Sequence, residues 1–135
     1  MKTIDLDGKI QDWKIAGKVF THGQNVSKSG LHLKCRELLA ELYPTIQVLE
    51  EVPINPKRGI TLYLDFYLKL LNVAIEVHGE QHYKFTPHFH QTQAGFIKYK
   101  QNERLKKDWC TRNGITLIEL PFNEEINEWK QRICS

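Results

Sequence analysis

The sequence predicts an α+β domain in the order α-β-β-β-α-β-α, with a mixed four-stranded sheet flanked by helices. Three observations predict it. The chain has 135 residues, which suits one domain around one core. Apolar residues follow helical spacing after residue 29, β-branched and alternating runs between 45 and 78, and helical spacing again after 92. A further β-rich run then follows that helix, so its strand can join the sheet by a crossover.

The elements read in order as follows. Residues 1–20 alternate loosely about Asp7-Gly8, giving a short hairpin within an N-terminal extension over 1–28. Residues 21–30 read as a loop. A domain over 29–135 opens with a helix from about Ser29 to Tyr43, capped by Ser27 or Ser29 and stopped by Pro44. Leu31, Cys35, Leu38 and Leu42 form its apolar stripe, flanked by His32 and Arg36 on one side and Glu41 on the other. Residues 45–54 are a strand by their β-branched content, and 55–59 a turn. Strands over 60–68 and 71–78 follow, joined tightly enough to be an antiparallel hairpin. Gly79 to Thr92 is a loop. A long helix spans about 93–113, with Ile97, Leu105 and Trp109 on one side and Gly114 just past its end. Residues 115–120 form the last strand, which Pro121 ends. Asn123 is placed to cap a final helix to about Ile133.

Composition narrows the class. Hydrophobic residues make up 41% and charged residues 26%, an ordinary globular mixture. No stretch is apolar enough to span a bilayer, and the first residues lack the apolar run of a signal peptide. A cytoplasmic protein without a membrane partner is expected. The three cysteines are odd in number and form no CxxC pair, so neither a disulfide framework nor a cysteine zinc site is expected. Cys35 and Cys110 read as core thiols. The net charge of +3 is mild, but Lys98, Lys100, Arg104, Lys106, Lys107 and Arg112 crowd one helix against Glu103 and Asp108. A charge run of this kind is usually a solvated helix face.

Strand periodicity points to a site. In the 60–68 strand, Leu62, Leu64, Phe66 and Leu68 share one face, and Thr61, Tyr63, Asp65 and Tyr67 the other. In the next strand Val73, Ile75 and Val77 oppose Ala74, Glu76 and His78. Asp65, Glu76 and His78 therefore share a face. Two carboxylates among Ile, Val and Leu cost several kcal/mol unless a cation or strong donors compensate. Mg²⁺ fits, since one or two carboxylates, waters and phosphate oxygens complete its coordination. A wet face on an open antiparallel sheet explains the same pattern without a metal. Gly79 beside a polar strand end favours the functional reading.

These residues resemble the PD-(D/E)xK nuclease superfamily. Asp65 matches its first acid, and Glu76-Val77-His78 its second acid and third position, with histidine in place of lysine. The stretches LDFYL, VAIEVHGEQHY and GITLIELP are most similar to very short patch repair and phage homing endonucleases, over about residues 29–121. The resemblance implies a restriction-endonuclease-like core and a metal-dependent DNA endonuclease that hydrolyses phosphodiester bonds in a bacterial or phage-infected cell. It implies Mg²⁺, with Mn²⁺ as substitute, held by Asp65 and Glu76. His78 would activate water, assisted by Gln81, His82 and His32; Glu41 is the alternative to His32. Leu64, not proline, precedes Asp65.

Around this core, Lys84, His88, His90, Lys98, Lys100 and Arg104 are candidates for DNA contact. Lys98 and Lys100 are candidates for the charge a motif lysine would bring. Tyr83, Phe85 and Phe89 are suited to stacking on bases, or to packing beneath the loop. His78, His82, His88 and His90 match no standard zinc spacing, so structural zinc is not expected. A homodimer or protein partner would aid targeting. Two alternatives stay open: an inactive DNA-binding or assembly module on a nuclease fold, and an RNA nuclease.

Overall fold

The computed structural model describes residues 1–19, 30–80 and 83–134, with the side chains of residues 88 and 89 left out. A hairpin of β1 (Lys2–Ile4) and β2 (Ile10–Asp12) turns at Asp7-Gly8, where Gly8 takes a φ of 89°. Then come α1 (Gly30–Leu42), β3 (Leu49–Lys57), β4 (Ile60–Leu68) and β5 (Val73–His78). The short α2 (Pro87–His90) precedes α3 (Gln93–Arg112), β6 (Thr116–Pro121) and α4 (Ile126–Cys134). The main sheet has the order β3-β4-β5-β6. β3, β4 and β5 run antiparallel, and β6 returns parallel to β5 after the α3 crossover. The expected mixed four-stranded sheet with flanking helices is present.

The sheet is covered on both faces. α1 and α4 bury Cys35, Leu38, Leu39, Trp129 and Ile133 against Phe66, Leu68, Ile75 and Leu120. α3 covers the opposite face, where Trp109 and Cys110 meet Val52, Leu64, Tyr67 and Ala74. The N-terminal segment joins that second core: Trp13 lies 5.0 Å from both Tyr67 and Trp109, ring to ring, and its indole N–H donates to the Pro53 carbonyl. An open solvent face on the sheet, one of the two sequence readings, is therefore not what surrounds the carboxylates.

Three local expectations change. The first main strand begins at Leu49 rather than 45 and runs through Asn55-Pro56 to Lys57, with Arg58-Gly59 as the turn. β3 is an edge strand whose register with β4 shifts between Ile54 and Lys57, and an edge irregularity of this kind tolerates a proline. On α3, Ile97 is exposed, and the buried side is set by Trp109 and Cys110. Thr92 caps this helix by accepting from Gly95 N, and Gly114 follows its end at φ 69°. Lastly, β4 does not alternate throughout. Leu62 and Leu64 pack under α3, while Phe66 and Leu68 pack under α1 and α4. The step falls at Asp65. On the paired strand β3 it falls at Glu51, whose φ of 53° turns the chain so that Glu50 and Val52 face opposite sides.

Candidate functional site

Pairing between β4 and β5 runs from Leu68↔Val73 to Phe66↔Ile75 and stops there. Beyond that point carboxylates take over the strand-to-strand bonds. Glu76 Oε2 accepts from Asp65 N at 2.7 Å, and Asp65 Oδ2 accepts from Val77 N at 2.9 Å. The two acids thus sit in the fork between splayed strands, each fixed by a main-chain N–H of the other strand. Charge-assisted bonds of this type hold a carboxylate more firmly than neutral ones.

α3 lays Lys106 across the fork. Its Nζ donates to Glu76 Oε1 at 2.7 Å, with the lysine side chain 20% exposed and the glutamate 7%. Lys106 is one turn upstream of Trp109 and Cys110, so the core packing of those residues sets its position. A cleft of about 530 Å³ opens beside this group, lined by Glu51, Tyr63, Asp65, Tyr99, Glu103 and Lys106, among others.

The electrostatics follow from burial and crowding. Burial, and then the Asp65 charge, push the Glu76 carboxyl up to about 8 against the pull of Lys106. Burial opposes the Lys106 ammonium, yet Glu76, Asp65 and Glu103 outweigh it and hold its pKa above the ordinary lysine value. The Tyr99 hydroxyl is pushed up by burial and by Glu103, Asp65 and Glu76. The site is a negative pocket with one ammonium inside it.

The other expected residues are placed elsewhere. His78 ends β5 on the α3 side, with Nε2 3.7 Å from Glu119 Oε1. It lines a second cleft of about 780 Å³ on the other flank of α3, together with Tyr83, Phe96, Lys100, Arg104 and Lys107. His32 is buried on the α1 face. Its Nε2 meets Glu50 Oε1 at 2.5 Å, its ring stacks on Phe66, and Arg36 donates twice to the same Glu50. The His32 expectation of a water or phosphate contact therefore gives way to a buried ion cluster, while the alternative Glu41 pairs with Lys130 on the surface. Gln81 and His82 lie outside the described residues, as do the His88 and Phe89 side chains.

Among the DNA candidates, His90 is buried beside Phe85, Phe96 and Tyr99, and its Nδ1 accepts from Thr86 N. It packs the loop rather than facing a ligand. Lys84 is exposed and pairs with Glu80, Lys98 is exposed, Lys100 lies 3.5 Å from Glu103, and Arg104 lies 3.9 Å from Asp108. Cys35 and Cys110 are buried free thiols, as expected. In the sequence Lys106 is one of a run of basic residues. Its signal was its spacing: three and four residues before Trp109 and Cys110 places it on the helix face that those residues bury.

The donor set can be weighed against a divalent ion. Among the described residues, no three or more His, Cys, Asp or Glu side chains gather at metal-binding distance. Mg²⁺ needs only one or two protein carboxylates, and Asp65 Oδ1 takes part in no hydrogen bond with a described residue. Asp65 Oδ1 is thus the oxygen open to such an ion, while both Glu76 oxygens already accept hydrogen bonds, from Asp65 N and Lys106 Nζ. Among the described residues no helix is long and apolar enough to cross a membrane.

Comparison with known proteins finds viral relatives. The chain is 41% identical over 64 residues to uncharacterized protein 307L of Invertebrate iridescent virus 6, covering 47% of this chain and 32% of that protein. It is 26% identical over 108 residues to uncharacterized protein 033L of Invertebrate iridescent virus 3, covering 78% and 56%. It is 42% identical over 71 residues to uncharacterized protein 094L of Frog virus 3 (isolate Goorha), covering 51% and 45%. The chain spans between 32% and 56% of the length of these relatives. No family model matches the chain. No solved structure matches it.

Proposed function

We propose that the chain is a metal-dependent nuclease that hydrolyses phosphodiester bonds in DNA, on a restriction-endonuclease-like core. One observation carries the reading: Asp65 and Glu76 are brought together, one half-buried and one buried, at a fork where the sheet gives up its own hydrogen bonds to hold them. A sheet built for stability alone would place apolar side chains there.

Asp65 and Glu76 would hold Mg²⁺ or Mn²⁺, which would bring charge against the phosphoryl oxygens and a water of lowered pKa. Asp65 N and Val77 N fix the two carboxylates in place, so little reorganisation is needed when substrate arrives. The exposed flank of α3 with Lys100, Arg104 and Lys107 offers sequence-independent contacts to a phosphate backbone, and Lys98 is exposed on another side of the same helix. Viral relatives support an infected cell as the place of action.

The test is cleavage of supercoiled plasmid with Mg²⁺ or Mn²⁺ by wild type, Asp65→Ala and Glu76→Ala. Metal-dependent nicking or linearisation by wild type alone is the expected result. Equal behaviour of all three proteins removes the nuclease reading. Cleavage of a matched RNA duplex in place of DNA would move the substrate to RNA.

A further inference from the structure

Phosphodiester hydrolysis adds negative charge to the phosphoryl group, and the cleft beside the fork is already negative. Glu51, Asp65 and Glu103 line it, and Glu76 lies buried next to them. A divalent ion would offset the carboxylates that hold it, but the charge added in the transition state still calls for a fixed cation facing the same space. Lys106 is the only cationic side chain among the described residues lining that cleft. Lys18 reaches Glu51 from outside and is 63% exposed, Lys100 lines the other cleft, and His78 lies beside Glu119.

We propose that Lys106, carried by helix α3, is a catalytic residue whose ammonium meets the scissile phosphate beside Asp65 and Glu76. This deepens the nuclease reading and rests on it. The ammonium is not left to find its place on a flexible arm. Its stem is held over the sheet by a helix anchored at Trp109 and Cys110, both essentially without exposed surface. Glu76 Oε1 fixes the tip. The side chain keeps 20% exposure on the cleft, so a bound phosphate can reach it. The charge comes from the helix that crosses the sheet, and the residue two places after Glu76 is left on the other flank of α3.

The competing account is that Lys106 only neutralises Glu76. The two accounts differ once a divalent ion is bound, because the ion then neutralises the carboxylates itself. Three variants separate them: Lys106→Gln, which keeps a hydrogen-bond donor to Glu76 but not the charge; Lys106→Met, which keeps neither; and Lys106→Arg, which keeps the charge. Thermal melts identify which variants fold, and either neutral variant that folds decides. Single-turnover cleavage of a fluorescent DNA duplex is measured at saturating Mn²⁺. Binding of the same duplex is measured by anisotropy in Ca²⁺, and Mn²⁺ affinity by calorimetry.

The expected result is cleavage slowed about 100-fold or more in the neutral variants, the size of one lost charge-stabilising donor. Lys106→Arg should retain most of the rate. Duplex affinity should stay within about threefold, because the interaction matters in the transition state more than in the ground state, and Mn²⁺ should bind at least as tightly. Cleavage at the wild-type rate once Mn²⁺ saturates would overturn the proposal while leaving the nuclease reading intact. So would a loss of duplex binding as large as the loss of cleavage. A wild type that cuts neither DNA nor RNA overturns both.

Discussion

Replacing Asp65 with Asn should make the metal-free protein more stable while abolishing cleavage. The effect follows from Glu76. Its carboxyl is pushed from 4.5 up to about 8, first by burial and then by the Asp65 charge. The folded state therefore holds a proton that the unfolded chain releases above about 4.5. Stability from this group is fully present below that pH, falls as pH rises, and is lost above about 8. At 1.36 kcal/mol per unit, the ceiling of that loss is about 4 to 5 kcal/mol, with the opposing pull of Lys106 already included. Asp65→Asn removes the second cause and leaves the first. Asn Oδ1 still accepts from Val77 N, so the fork keeps that bond. A gain of about 1 to 2 kcal/mol at pH 8 is expected, with a shallower fall between pH 5 and 8. The assay is urea unfolding followed by tryptophan fluorescence, across that pH range in EDTA and again with Mn²⁺. Mn²⁺ should stabilise wild type most at the alkaline end, where Glu76 is ready to ionise, and should do little for the variant. A wild type whose stability is flat from pH 5 to 8 without metal would refute the reasoning, as would a variant that unfolds at lower urea than wild type.

Two other substitutions probe what holds the site. Burial pushes the Glu50 carboxyl up, but the hydrogen bonds and charges of His32 and Arg36 outweigh it and hold it below the ordinary value. Its contribution is thus present above pH 4.5 and lost as pH falls, the reverse of Glu76. Glu50→Gln should cost about 3 kcal/mol at pH 7, because it strands a buried Arg36–His32 pair, and should flatten the acid limb of the stability profile; a loss below about 1 kcal/mol would show that the cluster is not sharing charge. At Glu51, φ is 53°, which glycine adopts without strain. Glu51→Gly should leave stability unchanged or raise it by up to about 1 kcal/mol, since the lost Lys18 pair is largely exposed. A melting temperature that drops sharply would mean the ion pair outweighs the backbone strain.

Much of the fold was readable because it is local. Helix spacing, the β4–β5 hairpin and the terminal glycine of α3 depend on neighbouring residues, and the period-two alternation of β5 put Glu76 and His78 on one face correctly. What was not readable depends on partners far along the chain. Alternation in β4 steps at Asp65 because β3 turns at Glu51 directly across from it, and nothing in either strand alone marks that step. Likewise Asn55-Pro56 reads as a turn until β3 is known to be an edge. The strand-face argument therefore puts Asp65 beside Glu76, as the structure does, but with a partly wrong picture of β4. Asp65 does not stand on a face at all. It reaches across the fork to Val77 N.

Lys106 is a different case, because its signal lies within its own helix. Taking Ile97 as the start of the buried stripe on α3 turned Lys106 into one more charge on a basic helix. Taking Trp109 and Cys110 as the register instead, and stepping back by three and four, the stripe runs through Lys106 to Asn102 and Glu103 and on to Tyr99. A stripe that is apolar at one end and changes to lysine, glutamate, asparagine and tyrosine at the other is costly to bury unless those groups face a polar opening. Here they do, in the cleft beside the two carboxylates. The sequence property that places a lysine at such a cleft is thus its phase relative to the largest apolar side chains of its helix, and the local density of positive charge conceals it.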